Sequence, residues 1–222
     1  NSPNVSKKFK QYNMFKLGRE HRNPFDDINK KDINIGIFGS ESANKTELGF
    51  KFVYEDAHKY YYDDHQTNFT DIKLSKFVEV CNEMVSVSVI DSTYVKNIEK
   101  TYYSMLQGII IAFNIDIIYN PQYKNEIMNV YNEIKESAQE DLIYVIALIK
   151  MKEEQHQLEI KDRIDILSNE LKEEIFIISI EDNENVFDIF YFLIRRIIKK
   201  RKQKKIINKN KKKKHSKHIK NA

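Results

Sequence analysis

The stretch Gly39-Ser-Glu-Ser-Ala-Asn44-Lys45-Thr46 is one residue away from G-x-x-x-x-G-K-[ST], a spacing whose chemistry is phosphate binding. In such a turn successive backbone N–H groups point inward at a helix N-terminus, the lysine adds a point charge, and the hydroxyl can hold Mg2+. Ala43 and Asn44 close the turn, and Asn44 stands where the pattern has its last glycine. A side chain there crowds a phosphate, although Asn tolerates unusual backbone angles better than most residues. An ordinary strand-to-helix turn is the plainer reading of the same residues.

Other chemistries find less support. The histidines His21, His58, His65, His156, His215 and His218 show neither H-x-x-x-H spacing nor a cysteine partner, which argues against zinc. No G-x-S-x-G elbow or Cys-His arrangement is present, which argues against covalent hydrolytic catalysis. The single cysteine, Cys81, rules out an intramolecular disulfide framework, and its apolar, alternating surroundings predict a small buried side chain in a reducing compartment. Glu153, Glu154, Glu173 and Glu174 read as solvated charges at helix ends.

The elements that must position the 39–46 loop follow from hydrophobic period. Ile33, Ile35 and Ile37 alternate up to Gly39, the mark of a strand ending in a turn, and residues 45–54 suit a helix. A polar, tyrosine-rich stretch covers 56–70. Two strands at about 74–81 and 84–90 then read as an antiparallel pair turning at Asn82 and Glu83. A short helical segment reaches Gln107, and the apolar run Ile109 to Ile115 suits a strand covered on both faces. Helices at about 122–138, 157–173 and 184–204 alternate with strands at 143–149 and 175–180. The pattern predicts an α/β fold with six strands, mostly parallel, and five helices on both sides of the sheet.

Length and charge divide the chain into parts. Its 222 residues, 41% hydrophobic and 32% charged, suffice for one well-cored domain plus appendages. Residues 1–31 are polar and without a stable period, so the domain is placed at 32–202, with a lysine-rich tail at 203–222 expected to be disordered. Fifteen of the 37 basic residues lie after Leu193 and no acidic one does, so the body carries 22 basic against 33 acidic residues, near −11, and the end of the chain +15. That end is the partner-seeking element, suited to an acidic membrane surface. A solvated tail without a partner is the plainer reading. Nothing aromatic interleaves with the lysines, which argues against nucleic acid. No run of 18 apolar residues exists to span a membrane.

Two further stretches carry a recognisable pattern. Thr67-Asn-Phe-Thr-Asp71-Ile-Lys73 is similar to T-x-G-x-D-F-K, and Tyr102-Tyr103-Ser-Met-Leu-Gln-Gly108-Ile-Ile-Ile-Ala-Phe-Asn-Ile115 is similar to Y-Y-R-G-A-x-G-I-I-L-V-Y-D-I. With the 39–46 loop, these resemble a small GTPase of the Ras superfamily, the Rab branch in particular, across roughly residues 33–202. The resemblance implies the Ras-like P-loop fold, with Mg2+ and GTP or GDP as ligands. It makes Gly39, Ala43 and Asn44 part of the phosphate loop, Lys45 its lysine, Thr46 the Mg2+ hydroxyl, Thr67 the first-switch threonine that senses the γ-phosphate, and Asp91 the aspartate of D-x-x-G. Thr46, Thr67 and Asp91 are the implied metal ligands.

Departures from the family pattern are specific. Asp91-Ser-Thr-Tyr94 puts tyrosine in place of the glycine of D-x-x-G, and Val95 replaces the glutamine that positions the attacking water, so hydrolysis is expected to be very slow or absent. Ile149-Lys150-Met151-Lys152 stands where N-K-x-D would read guanine; Lys150 keeps the family lysine, but Lys152 offers only donors where an acceptor is required. Ser179-Ile-Glu181 keeps the serine of S-A-K alone. With no cysteine after Cys81, a prenyl anchor is not expected.

The resemblance thus implies a divergent small GTP-binding protein with weak nucleotide binding, acting through effector or regulatory proteins at its switch regions in vesicle traffic or signalling. Tyr54, Tyr60, Tyr61 and Tyr62 lie in or beside the first switch and suit a partner surface, or pack on their own domain. A nucleotide-free pseudo-GTPase serving as adaptor or structural subunit is the alternative. Either is expected inside the cell, in the cytoplasm or peripheral at a membrane, with the nucleus as the lesser alternative.

Overall fold

The computed structural model describes residues 32–55, 73–92, 100–138, 141–150 and 157–220. Six strands form one sheet: β1 (Ile33–Gly39), β2 (Lys73–Val80), β3 (Glu83–Asp91), β4 (Gly108–Asn114), β5 (Ile143–Lys150) and β6 (Ile175–Ser179). Their order is β2-β3-β1-β4-β5-β6, and only the β2–β3 hairpin is antiparallel. Five α-helices accompany them among the described residues: α1 (Lys45–Tyr54), α2 (Lys100–Met105), α3 (Tyr123–Ser137), α4 (Gln157–Leu171) and α5 (Val186–Lys220). This is the six-stranded, mostly parallel α/β architecture expected from the alternation of periods.

Both faces of the sheet are buried because its central strands are apolar at every position. Ile33, Ile35 and Ile37 of β1, Ile110 and Ala112 of β4, and Val145 and Ala147 of β5 face α1 and α5, where Phe52 stacks on Phe190 at 3.9 Å between ring centres. Ile109, Ile111 and Phe113 of β4 and Ile146 and Leu148 of β5 face the other layer, meeting Ile127 and Tyr131 of α3 and Leu167 of α4. Successive strand residues point to opposite faces, so one continuous apolar run feeds two cores. Gly108 opens β4 because a β-carbon there would stand 2.8 Å from Cγ of Leu193 of α5.

Four details differ from the sequence reading. The β2–β3 turn falls on Cys81 and Asn82, one residue early; both take the left-handed conformation (φ 54° and 60°) that a tight two-residue hairpin needs. Cys81 is therefore exposed at the tip and not buried. Ile115–Tyr119 forms a 3-10 turn begun by Asn114, whose side chain accepts from the Asp116 N–H at 3.0 Å. Finally, α5 runs as helix to Lys220, past the end expected near 204 and through the tail expected to be disordered. Its apolar stripe ends at Ile198, but Lys, Arg and Gln are good helix formers and neither Gly nor Pro interrupts them.

A clasp ties the start of β1 to the rest of the sheet and to α5. The Asn34 N–H donates to Oε1 of Gln107 at 2.8 Å, the Gln107 N–H returns to the Asn34 carbonyl at 2.9 Å, and Arg201 of α5 donates to the Asp32 carbonyl at 2.7 Å. The basic end of α5 is tied to the body further by Lys202 to Glu83 at 2.6 Å, and by Lys200 and Lys204 to Asp141.

Candidate phosphate and nucleotide site

The C-terminal ends of the parallel strands lie side by side, and the 39–46 loop leaves the middle of that row. β1 ends at Gly39 with φ 124°, where a β-carbon would stand 1.9 Å from the Ala112 carbonyl oxygen of β4, so no other residue fits. The Ser40 N–H donates to that same oxygen at 3.0 Å and the Ala43 N–H to the Ser40 carbonyl at 3.3 Å, which bends the chain back over the strand. Asn44 sits in the left-handed region (φ 38°, ψ 39°), the conformation a glycine would adopt at no steric cost. Its carbonyl accepts from the Leu48 N–H at 3.0 Å and starts α1, while its side-chain amide donates to Glu47 at 3.3 Å.

Three of the expected residues converge here. Lys45 is 4% exposed and its ammonium donates to the Ser40 carbonyl at 2.5 Å. Burial pulls its pKa below the ordinary lysine value, against the opposing pull of Asp91 and Glu41. The Thr46 hydroxyl donates to the carboxylate of Asp91, which ends β3 beside Ile37 of β1 and is itself 5% exposed. A buried ammonium, a hydroxyl and a buried carboxylate therefore lie together at the helix N-terminus. The Ser40 hydroxyl is also buried and has no hydrogen-bond partner among the described residues, an unmet polar atom within the loop. This donor set suits a polyphosphate with a hard cation.

The far end of the row carries a second group. Lys150, last in β5, pairs in register with Ser179, last in β6, and its ammonium meets the Glu184 carboxylate at 2.5 Å. Ser179 is 3% exposed; its hydroxyl donates to Oδ2 of Asp182 at 2.6 Å and accepts from the Asp182 N–H at 3.2 Å. Backbone bonds between Ser179 and Glu184 close this loop before α5. Ile149, at the position that would open the base-reading motif, is buried in the α1–α5 core.

Sequence reasoning passed over Ser40, Asp182 and Glu184. The signal for the last two was the run Glu181-Asp-Asn-Glu184 directly after an apolar strand, an acidic loop facing a strand that ends in lysine. Glu173, read as a solvated charge, is half-buried and accepts from the Tyr131 hydroxyl at 3.0 Å, with burial raising its pKa. Thr67, Tyr60, Tyr61, Tyr62, Tyr94, Val95, Lys152, Glu153 and Glu154 lie outside the described residues.

A model of the Ras family matches residues 34–199, about three-quarters of the chain and the span that holds both ends of the row. No curated protein matches the sequence.

Proposed function

Because the chain belongs to the Ras family of small GTP-binding proteins, we propose that it is a divergent, Rab-like member that binds Mg-nucleotide weakly and hydrolyses GTP little or not at all. The observation that carries this reading is the contact between the Thr46 hydroxyl and the Asp91 carboxylate beside the buried Lys45 ammonium. Lys45 and the loop N–H groups would hold the phosphates, and Thr46 and Asp91, with Thr67, would hold the ion. Bound Mg2+ supplies charge neutralisation of the phosphates. The chain's own part is to orient them at the end of α1, where the helix dipole favours negative charge.

Tyr94 and Val95 support a protein that reads nucleotide state more than it turns nucleotide over, since the first replaces the glycine of D-x-x-G and the second has no hydrogen-bonding group with which to position water. Such a protein works through partners at its switch regions, in vesicle traffic or signalling inside the cell. The cationic end of α5 suits an acidic bilayer, at about 1 kcal/mol per basic side chain near the surface. No helix among the described residues is long and apolar enough to cross a membrane.

A second reading, a nucleotide-free pseudo-GTPase acting as an adaptor, is favoured by one observation: Lys45 and Thr46 already satisfy each other's loop, through Ser40 and Asp91, with protein atoms alone. Isothermal titration with GTP, GDP and ATP in Mg2+ separates the two. Heat with a guanine nucleotide supports the first reading, and no heat with any of the three supports the second.

A further inference from the structure

Between Lys202 and Lys220 the last helix carries no acidic residue, and one side of it is lysine almost throughout. At about 100° per residue, positions 202, 205, 209, 212, 213, 216 and 220 follow one another at i, i+3 and i+4 spacing and fall within a single stripe about 100° wide. Six of the seven are lysine. The seventh is Ser216, the only serine or threonine that follows Ser179 in the chain. The stripe has a fixed bearing on the body, because its first member, Lys202, meets the Glu83 carboxylate beside the β2–β3 hairpin tip at 2.6 Å.

Ser216 stands one helical turn after Lys212 and Lys213 and one turn before Lys220 on that side. A phosphate at this position brings a charge of about −2 into the middle of the stripe and offsets about two of its lysines. Access favours the same residue, since position 216 lies four residues from the end of the helix, where the helix opens at least cost. Like charges at i, i+4, such as Lys205 with Lys209 and Lys209 with Lys213, weaken these turns further. Tyr191, the other hydroxyl of α5, is half-buried against the core. The lysines at 211–214, directly before Ser216, supply the cationic signal that a kinase with an acidic peptide groove selects.

We propose that Ser216 is a phosphorylation site whose occupation releases the lysine stripe of α5 from acidic lipid. The donor is ATP: the Ser216 oxygen forms the new P–O bond to the γ-phosphorus as the bond to the departing ADP oxygen breaks, and the hydroxyl proton passes to the aspartate of the kinase. The release rests on the membrane reading given above, because a stripe lying on phosphatidylserine is held by its lysines and loses about two of their charges to the phosphate.

The test uses the full chain in three forms: unmodified, carrying phosphoserine at 216, and carrying Ile207→phosphoserine, which puts the same charge at an exposed position on the opposite side of the helix. Partitioning onto phosphatidylserine-containing vesicles is measured at physiological salt. Phosphoserine at 216 lowers the partition coefficient roughly tenfold or more, the loss of about two basic side chains at the surface, and Ile207→phosphoserine lowers it by a smaller factor. Equal binding of the unmodified chain and the 216 form, or equal loss from the two positions, overturns the release alone. Absence of vesicle binding by the unmodified chain overturns the membrane reading and the release with it. The site is read separately, by incubating the full chain with ATP and a serine kinase that requires basic residues before its target, then locating the phosphate by mass spectrometry. Phosphate is expected on Ser216, with incorporation dropping in Ser216→Ala; incorporation at an unchanged level in Ser216→Ala overturns the site.

Discussion

The Lys45 ammonium donates back across its own loop to the Ser40 carbonyl at 2.5 Å, so the residue best placed to meet a phosphate is held by a main-chain oxygen of the same turn. A phosphate oxygen competes for that ammonium with one carbonyl, and a charged acceptor forms the stronger bond.

Replacing Lys45 by Ala is accordingly expected to weaken GDP binding at least about tenfold, the loss of one charge-assisted hydrogen bond in a partly buried site. Burial already lowers the Lys45 pKa, and the phosphate complex needs the charged form. Affinity should therefore fall as pH rises through a value below the ordinary 10.5 of lysine. A calorimetric pH series on wild type and Lys45→Ala checks both points; an affinity independent of pH up to 10.5 would count against them.

Asn44→Gly should tighten phosphate binding. Asn44 holds φ 38°, which costs a side-chain-bearing residue about 1 kcal/mol and costs glycine little, and the change also clears the turn of a side chain. The lost amide contact to Glu47, at 3.3 Å and partly exposed, offsets only a little. Expected are a Tm equal to or above that of wild type and a lower Kd for GDP, by thermal melt and titration.

Much of this was legible in the residues, and the reasons differ by element. Gly39 through Thr46 could be placed because a turn between a period-2 strand and a helix leaves few ways to orient its N–H groups. The central strands could be read because burial on both faces writes unbroken apolar runs such as Ile143 to Ile149. Strand order could not: nothing in the run Ile33 to Gly39 says that β3 lies on one side and β4 on the other, since pairing is a long-range choice. Nor could the Ser179–Asp182 contact, because exposed Asp and Glu in a polar loop look alike until a buried hydroxyl picks one out.

Lys76 gives a stability prediction away from the site. Its ammonium donates to the Phe52 carbonyl, near the end of α1, and lies 4.2 Å from the Phe52 ring centre and 5.0 Å from that of Phe187. Burial, only partly opposed by Glu55, pulls its pKa down from 10.5 to about 8. Below that value both folded and unfolded chains hold the proton; between there and 10.5 only the unfolded chain does, so stability rises with pH across this window. Relative to Lys76→Met, the wild type should gain about 3 kcal/mol of unfolding free energy from one end of the window to the other, at about 1.4 kcal/mol per pKa unit. Urea unfolding at a series of pH values measures it, and parallel curves for the two proteins would refute it.

Membrane attachment is tested by a truncation that spares the contacts between α5 and the body. Arg201, Lys202 and Lys204 are used in contacts with Asp32, Glu83 and Asp141, so cutting before them disturbs the body. Ending the chain after Lys205 removes seven lysines and leaves those contacts in place. The full chain is expected to pellet with phosphatidylserine vesicles and the shorter one to stay largely in solution, with the difference vanishing in high salt. Equal pelleting of both would refute the role of the helix end.

Single-turnover hydrolysis, with protein in excess over GTP, should show no appreciable conversion in wild type. The double change Tyr94→Gly and Val95→Gln restores the glycine of D-x-x-G and the glutamine that orients the attacking water, and conversion should become measurable. Fast turnover in the wild type would contradict the proposed role.

The last helix leaves the interior without a joint. Phe190 and Leu193 of α5 are locked into the sheet, and the same unbroken rod of 35 residues, about 50 Å from end to end, finishes in lysines. Whatever grips the charged tip therefore holds a stiff lever whose fulcrum is the packing around Phe52 and Gly108. Torque applied at an anchoring surface would be felt first where β4 begins, at Gly108, and would pass back along the same helix to its start beside the end of β6, so attachment and the set of the strand ends become one mechanical variable.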